Sequence, residues 1–167
     1  MTIAAFDHLD PETKKQLLNN CCGSDDWVTN MMMLMPFEDL VDVLEDAEQV
    51  WYSCDEQAWL QAFSRHPKIG DMDSLKEKYA STAHLASGEQ ASVLTASDET
   101  LEELSKLNSA YAMRFGFIFI VCATGRSAGE ILQMLNERIN NDRQTELEIA
   151  AGEQNNITKL RLQTLFT

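Results

Sequence analysis

The stretch Phe115-Gly116-Phe117-Ile118-Phe119-Ile120-Val121-Cys122 decides the fold class of this chain. Its aromatic and β-branched residues are typical of a buried β-strand. No other segment has this composition, and a single strand cannot satisfy its backbone hydrogen bonds without a partner strand. The sequence therefore predicts an irregular or helical buried segment, which ends at Thr124-Gly125.

Helix start signals recur through the rest of the chain. Asp10-Pro11 offers an N-cap followed by proline at the first helical position, and Ser127-x-x-Glu130 forms a capping box. The sequence predicts an all-α fold, a single compact domain over residues 1–167 with about seven to nine helices. Residues 71–96 are expected to form short helices joined by loops. Further helix starts are predicted at Ser24, at Pro36, at a second capping box Ser53-x-x-Glu56 and at Ser97-Asp98-Glu99.

Composition and charge exclude several classes of protein. The chain has 167 residues, 44% of them apolar, and a formal net charge of −14, which is typical of a soluble globular protein. This charge argues against nucleic acid and against an anionic membrane surface as partners. The longest apolar run is too short to span a bilayer, and no signal peptide is recognisable, so we expect a cytoplasmic protein.

Cofactor and metal motifs are missing from the sequence. The four cysteines include no CxxC pair, which favours thiols in a reducing compartment. The three histidines lie far apart in sequence, so no metal site is predicted. Neither a P-loop nor a dinucleotide-binding glycine motif occurs. An enzyme with this sequence is therefore expected to need no cofactor.

The first candidate catalytic residue is His66, in Arg65-His66-Pro67-Lys68-Ile69-Gly70. The residue before a proline is displaced from the helical conformation, so the imidazole should be presented where a helix ends. Histidine also titrates near neutral pH, which suits proton transfer. The alternative is an exposed histidine beside a helix C-cap.

Three further candidates each have a structural alternative. Glu89-Gln90 could supply an acid–base group and a carboxamide, or could begin a helix capped by Ser87. The backbone of residues 117–123 could bind a polar heterocycle, or could be plain core. Arg161 lies between two leucines and could bind a substrate carboxylate, or could form an internal ion pair or extend along the surface.

These elements occur together, and in this order, in one family. The chain resembles 2-oxo-4-hydroxy-4-carboxy-5-ureidoimidazoline (OHCU) decarboxylases, which act at the last step from urate to (S)-allantoin. The matching motifs are Cys21-Cys22-Gly23-Ser24-x-x-Trp27, Pro36-Phe37-x-x-Leu40, Trp59-x-x-Ala62-Phe63, His66-Pro67-x-Ile69-Gly70, Glu89-Gln90, Leu107-Asn108-x-x-Tyr111-x-x-x-Phe115-Gly116-Phe117, Phe119-Ile120-x-Cys122-Ala123, Glu146-Leu147-x-x-Ala150, Ile157 and Leu160-Arg161-Leu162.

The resemblance implies an all-α homodimer that decarboxylates a small anionic substrate without a cofactor. It makes His66 and Glu89 the catalytic residues. If Glu89 donates a proton at neutral pH, its pKa must be raised by desolvation, which the apolar residues Phe119–Val121 could supply. Related sequences often carry Ser-x-x-Glu-Gln, whereas this chain has alanine at the serine position. Either Ser87 substitutes for that serine or the hydrogen bond is absent. The implied substrate-binding residues are Pro67, Ala86, Ser87, Gly88, Gln90, Phe119, Ile120, Val121, Cys122, Ala123 and Arg161.

Two other functions remain open from the sequence. One is an all-α scaffold that binds partners through a methionine-rich surface and catalyses nothing. The other is a hydrolase that acts on a related ureido compound, with His66 activating water. The methionines in question are Met31, Met32, Met33 and Met35.

Overall fold

The computed structural model describes residues 1–66 and 97–167, and all the regular secondary structure in these two ranges is helical. The predicted all-α class and the predicted helix number are confirmed over these ranges. Residues 71–96, with their predicted short helices, lie outside them. No described helix is both long and apolar enough to cross a membrane. The helices are α1 (Ile3–Asp7), α2 (Pro11–Cys21), α3 (Asp25–Leu34), α4 (Leu40–Ser53), α5 (Glu56–Ser64), α6 (Asp98–Phe115), α7 (Ala128–Arg138) and α8 (Arg143–Leu165).

Four of the predicted helix starts are confirmed, at Asp10, Ser24, Ser97 and Ser127. The Asp10 carboxylate accepts hydrogen bonds from the backbone N–H groups of Glu12 and Thr13, at 3.1 and 3.0 Å. The capping box of α7 is complete, because the Ser127 N–H donates to Glu130 (2.7 Å) and the Glu130 N–H to the Ser127 hydroxyl (3.2 Å). These short polar side chains satisfy N–H groups that have no partner inside the helix.

Two predicted starts were wrong. Helix α4 begins at Leu40 rather than Pro36, and the Asp39 carboxylate caps it by accepting from Asp42 N–H at 3.0 Å. Ser53 does not cap α5, because it is the last residue of α4 and its hydroxyl donates to the Val50 carbonyl at 2.8 Å. In both cases an aspartate lies a few residues further along and accepts the hydrogen bond that the helix start requires.

The described residues belong to two compact units. The first comprises residues Met1–His66 and Ala151–Thr167, and the second is described over residues 97–150. In the first unit the indole N–H of buried Trp27 donates to the Ala47 carbonyl at 3.0 Å, and that of Trp51 donates to the Ala151 carbonyl at 2.8 Å. The second of these bonds ties α4 to the C-terminal part of α8.

The second unit contains the segment that decided the fold class. Gly116 ends α6 with a left-handed φ of 79°, a conformation that glycine adopts without strain. The following residues form no strand and are irregular up to a turn at Thr124-Gly125, as predicted. The Tyr111 ring packs edge-on against Phe117 and Phe119, with centroids 5.9 and 5.2 Å apart. The segment is therefore irregular backbone fixed by aromatic packing.

The observed capping of α5 leads to a first prediction. The Asp55 carboxylate accepts from Ala58 N–H at 2.9 Å, whereas Ser53 is exposed and bonds only within α4. Asp55→Ala should lower the free energy of unfolding by about 1 kcal/mol, because the helix loses its cap. Ser53→Ala should lower it by less than about 0.5 kcal/mol. Urea denaturation measures both, and a larger loss for Ser53→Ala would contradict the assignment.

Candidate functional site

His66 lies directly after the end of α5, where the following proline predicted it. Its backbone N–H donates to the Phe63 carbonyl at 3.2 Å, and the residue is half-buried. Its ring Nε2 lies 2.5 Å from Oε1 of Gln154, a fully buried residue of α8. The alternative of an exposed histidine at a helix cap is therefore wrong, because the ring is anchored to a buried amide.

Gly23 shapes the chain next to this histidine. A Cβ atom at this position would lie 2.5 Å from Cγ and 2.8 Å from Cβ of Arg65. Real Cβ atoms do not approach so closely, and the atoms that they would meet are near the base of the arginine side chain. Any larger residue at position 23 would therefore displace the residue that precedes His66.

Arg161 is exposed and stabilises the end of a helix in the first unit. Its Nη1 donates to the backbone carbonyls of Asn20 and Cys21, at 3.2 and 3.3 Å. These carbonyls lie at the C-terminus of α2, where a cation is favourable. The bonds use only one nitrogen of a guanidinium that has five N–H donors. Arg161 therefore has a structural role at the end of α2, and its predicted role in binding a substrate carboxylate stays a prediction.

All the cysteines are thiols, as predicted, including Cys21 and Cys22 near Arg161. None of the four cysteines, all of which fall in the described ranges, forms a disulfide. Burial raises the pKa of Cys22 to about 12 and that of Cys21 to about 11, and the nearby Arg161 charge opposes this effect only in part. Both side chains are therefore neutral and weakly nucleophilic at neutral pH.

The predicted backbone site at Phe119–Ala123 lies in the second unit, and its carbonyl groups are held by two arginines. The Ile120 carbonyl accepts from Nη1 of Arg138 at 2.8 Å, and the Cys122 carbonyl accepts from Nε of Arg126 at 3.1 Å. Phe119 and Ile120 are buried, while residues 121–123 are half-buried. The segment departs from regular structure, as the prediction required, and side chains fix its course.

Arg138 belongs to a buried polar network that sequence reasoning missed. Its Nε donates to Oε1 of Glu146 at 2.7 Å, and the Tyr111 hydroxyl donates to the same oxygen at 2.5 Å. Asn141 donates to the other oxygen, Oε2, at 3.0 Å. The guanidinium also lies 4.4 Å from the centre of the Phe119 ring, within the range of a cation–π interaction. This network therefore holds both the ring and the backbone of residues 119–120.

The Tyr111 hydroxyl keeps its proton in this network. Burial, together with the hydrogen bond to Glu146, raises its pKa well above the ordinary value. The hydroxyl therefore remains a donor to the Glu146 carboxylate across the physiological pH range. A signal for the network was present in the sequence, since Tyr111 and Glu146 both fall in the motifs that define the family resemblance.

Six of the predicted site residues lie outside the described residues, namely Pro67, Ala86, Ser87, Gly88, Glu89 and Gln90. His66 and Arg161 belong to the first unit, and Phe119–Ala123 to the second. Within residues 1–66 and 97–167, no group of three or more potential metal ligands comes together. The first unit also has a cavity of about 300 Å³, and none of the predicted catalytic or substrate-binding residues lines it. Its lining consists of Asp26, Thr29, Asn30, Ser53, Cys54 and Asp55.

Comparison with known proteins identifies the family. The sequence profile of OHCU decarboxylase matches residues 7–163, nearly the whole chain. The chain belongs to the OHCU decarboxylase family. The resemblance found in the sequence is therefore confirmed.

Curated relatives come from plants, bacteria, archaea and animals. A uric acid degradation bifunctional protein of Arabidopsis thaliana is 38% identical over 148 residues, which are 88% of this chain and 45% of the relative. The corresponding bifunctional protein of Bacillus subtilis is 26% identical over 99% of this chain and 33% of the relative. The chain thus spans less than half of either bifunctional protein. A 2-oxo-4-hydroxy-4-carboxy-5-ureidoimidazoline decarboxylase of Haloferax volcanii is 24% identical over 100% of this chain and 97% of the relative.

Two solved structures share the fold. A crystal structure of OHCU decarboxylase in the presence of (S)-allantoin is 37% identical, with a TM-score of 0.73 over 89% of this chain and 95% of that chain. A crystal structure of (S)-allantoin synthase is 14% identical, with a TM-score of 0.70 over 98% of this chain and 54% of that chain. At this low identity the second likeness concerns the fold alone.

The Arg138–Glu146 pair leads to a second prediction. Their side chains are 7% and 0% exposed, so Arg138→Met leaves a buried carboxylate without its cation. We expect the free energy of unfolding to fall by about 3–5 kcal/mol. The matched control is Lys159→Met, which removes the 3.0 Å pair with Glu48, whose side chains are 31% and 44% exposed. This variant should lose less than about 1 kcal/mol in urea denaturation, and equal losses would contradict the role of burial.

Proposed function

We propose that this chain decarboxylates OHCU to (S)-allantoin in the breakdown of urate, without a cofactor. The observation that carries the proposal is His66, half-buried at the end of α5 in the His-Pro motif of the family and anchored to a buried amide. The Haloferax volcanii relative, which matches this chain along nearly its whole length, bears the name of this activity. The substrate is a small anion, whereas the chain has a formal net charge of −14. A site that binds it must therefore hold positively charged side chains close to the substrate.

The reaction breaks one carbon–carbon bond, releases the hydroxyl proton and takes up two protons, so it consumes one proton overall as a carboxylate anion becomes CO₂ and a neutral product. The substrate carries a carboxylate and a hydroxyl on the same ring carbon. When CO₂ leaves, the electron pair of the broken bond passes into the conjugated ring and ureido groups, where a nitrogen takes up one proton from water. The hydroxyl then loses its proton as its C–O bond becomes a carbonyl, and the neighbouring ring carbon gains a proton and becomes the stereocentre. A base and an acid on the protein, together with one proton from water, are therefore sufficient for the chemistry.

We assign these two roles to the residues that the family resemblance makes catalytic. His66 takes the hydroxyl proton, and Glu89 delivers a proton to one face of the ring carbon, which sets the S configuration. Arg161 orients the carboxylate through the guanidinium nitrogens that do not bind α2. Backbone groups of Phe119–Ala123 bind the polar ring. Pro67 and the loop residues Ala86, Ser87, Gly88 and Gln90 complete the proposed contacts.

The two competing functions predict different behaviour. A scaffold with a methionine-rich binding surface would need these methionines to be exposed together. Met33 is 70% exposed, but Met31 is fully buried in the core, so the cluster is divided between surface and interior. The hydrolase remains as the second enzymatic possibility, since His66 could also activate water.

The proposal also includes association into a homodimer and a location in the cytoplasm. The dimer is implied by the family resemblance, and the location is supported by the four cysteines, all of which are thiols. Light scattering after gel filtration measures the mass of the protein in solution. A mass of one chain, 18.9 kDa, would contradict the dimer, and a mass of two chains would support it.

The third prediction concerns activity and the two catalytic residues. OHCU is generated from urate by the two upstream activities, and the formation of (S)-allantoin is followed by circular dichroism. The wild-type protein should accelerate this step above the slow racemic background. His66→Ala should lower kcat by about 10²–10⁴-fold while the fold is retained, because positioned acid–base groups contribute that much.

Glu89→Gln is the matched variant, since it keeps the shape of the side chain but removes the transferable proton. Both the rate and the enantiomeric excess of allantoin should fall. Unchanged values in both measurements would exclude Glu89 from the mechanism. Cleavage of the ureido group would favour the hydrolase, and no acceleration by the wild type would favour the scaffold.

The fourth prediction separates the two roles of Arg161. If the guanidinium binds the substrate carboxylate, Arg161→Met should raise KM by at least about tenfold, which corresponds to about 1.4 kcal/mol. Because the Arg161 side chain is exposed and its bonds to the Asn20 and Cys21 carbonyls are exposed and partly buried, the free energy of unfolding should fall by less than about 1 kcal/mol. An unchanged KM combined with a lower stability would show that Arg161 only caps α2.

A further inference from the structure

A chain of hydrogen bonds runs from His66 into the C-terminal part of α8, within the first unit. Nε2 of His66 meets Oε1 of Gln154 at 2.5 Å, and Nε2 of Gln154 donates to the Thr158 hydroxyl oxygen at 3.1 Å. Gln154 and Thr158 lie one helical turn apart and are 0% and 2% exposed. Water cannot replace a missing partner for these buried groups, so each donor must meet an acceptor.

The direction of every bond in this chain follows from the Thr158 hydroxyl. Its single proton is donated to the backbone carbonyl of Gln154 at 3.0 Å. Its oxygen can then only accept from the Gln154 side chain, which requires the amide NH₂ group on that side. The amide oxygen must consequently face His66. Because that oxygen has no proton to give, Nε2 of His66 must be the donor.

Cys22 is the neighbouring group that could change the direction of these hydrogen bonds. It is fully buried and lies within hydrogen-bond reach of Thr158, so a thiolate there would compete for the hydroxyl proton. Burial raises the pKa of Cys22 to about 12. The sulfur therefore stays a neutral thiol, which is a weak acceptor, and the hydroxyl proton remains with the Gln154 carbonyl.

We propose that Gln154 is a positioning residue that holds neutral His66 in the tautomer with hydrogen on Nε2, so that Nδ1 is the nitrogen that takes the substrate hydroxyl proton. The assignment of the proton acceptor rests on the proposed function, whereas the tautomer does not. When Nδ1 gains the proton, Nε2 still donates to the same amide oxygen. The ring therefore keeps one orientation before and after proton transfer.

The tautomer is measured directly by NMR on the ligand-free, ¹⁵N-labelled chain. Long-range ¹H–¹⁵N correlations of the imidazole ring distinguish the two neutral forms. The chain has only three histidines, and the His66 signals are those that disappear in His66→Ala. At a pH where the ring is neutral, wild-type His66 should show hydrogen on Nε2.

Three variants test whether Gln154 is the cause. Gln154→Met keeps a similar length but removes the acceptor, so the share of the Nε2–H form should fall. Its kcat should drop by about 10- to 100-fold with little change in KM, as is typical when a group that orients a functional histidine is lost. Thr158→Val removes the hydroxyl that orients the amide and should shift the tautomer in the same direction. Thr158→Ser keeps the hydroxyl and should behave like the wild type.

Distinct results overturn distinct parts of the proposal. Hydrogen on Nδ1 in the wild type, or an unchanged tautomer in both Gln154→Met and Thr158→Val, would refute the assignment. If Gln154→Met does not fold, as judged by far-ultraviolet circular dichroism, the Thr158→Val and Thr158→Ser pair decides. A shifted tautomer with an unchanged kcat would refute Nδ1 as the proton acceptor. A wild type with the expected tautomer but no (S)-allantoin formation would refute the proposed function and leave the role of Gln154 on the ring intact.

Discussion

The buried ion pair between Arg138 and Glu146 is the interaction on which the irregular segment of this chain depends. A strand-like sequence without a partner strand has backbone carbonyls that must find donors elsewhere. Arg138 supplies one of these donors to Ile120 and at the same time packs against the Phe119 ring. A buried guanidinium would be costly alone, and Glu146, further satisfied by Tyr111 and Asn141, supplies the opposite charge. The course of residues 119–123 is thus set by a charge pair rather than by a sheet.

Helix α8 shows the same principle applied to the proposed catalytic histidine. It carries four of the six polar residues that are buried in the described parts of the chain, namely Glu146, Gln154, Asn155 and Thr158. Each makes at least one side-chain hydrogen bond; Nδ2 of Asn155, for example, donates to Glu48 at 2.8 Å, although its Oδ1 has no partner. Buried hydrogen bonds do more than stabilise the fold, because each runs from a donor to an acceptor and so fixes the orientation of the groups that it joins. In this helix that direction reaches the imidazole of His66 and fixes which nitrogen carries its proton.

Local signals predicted the beginnings of helices wherever a single strong cap was available. Asp10-Pro11 and the Ser127–Glu130 box satisfy helix N–H groups by contacts within three residues, so the sequence is sufficient to place them. At Pro36 and Ser53 a second candidate, an aspartate, lies two or three residues further along, and sequence spacing does not rank the two candidates. Asp39 and Asp55 are the caps in the structure. Burial of Gln154 was equally hidden, because in a sequence a buried glutamine looks the same as a solvated one.

The sequence by itself determined the all-α class, the irregular course after Gly116, the family and the presentation of His66 at a helix end. These features depend on backbone preferences and motifs that act between near neighbours in the chain. Only the tertiary structure decided what His66, Arg138 and Arg161 contact, because their partners are distant in the chain. Gln154 lies 88 residues from His66, Ile120 lies 18 residues from Arg138, and Cys21 lies 140 residues from Arg161. Hydrogen bonds of this kind form only after folding has brought distant groups together and removed water from them, and no local pattern encodes which groups will meet.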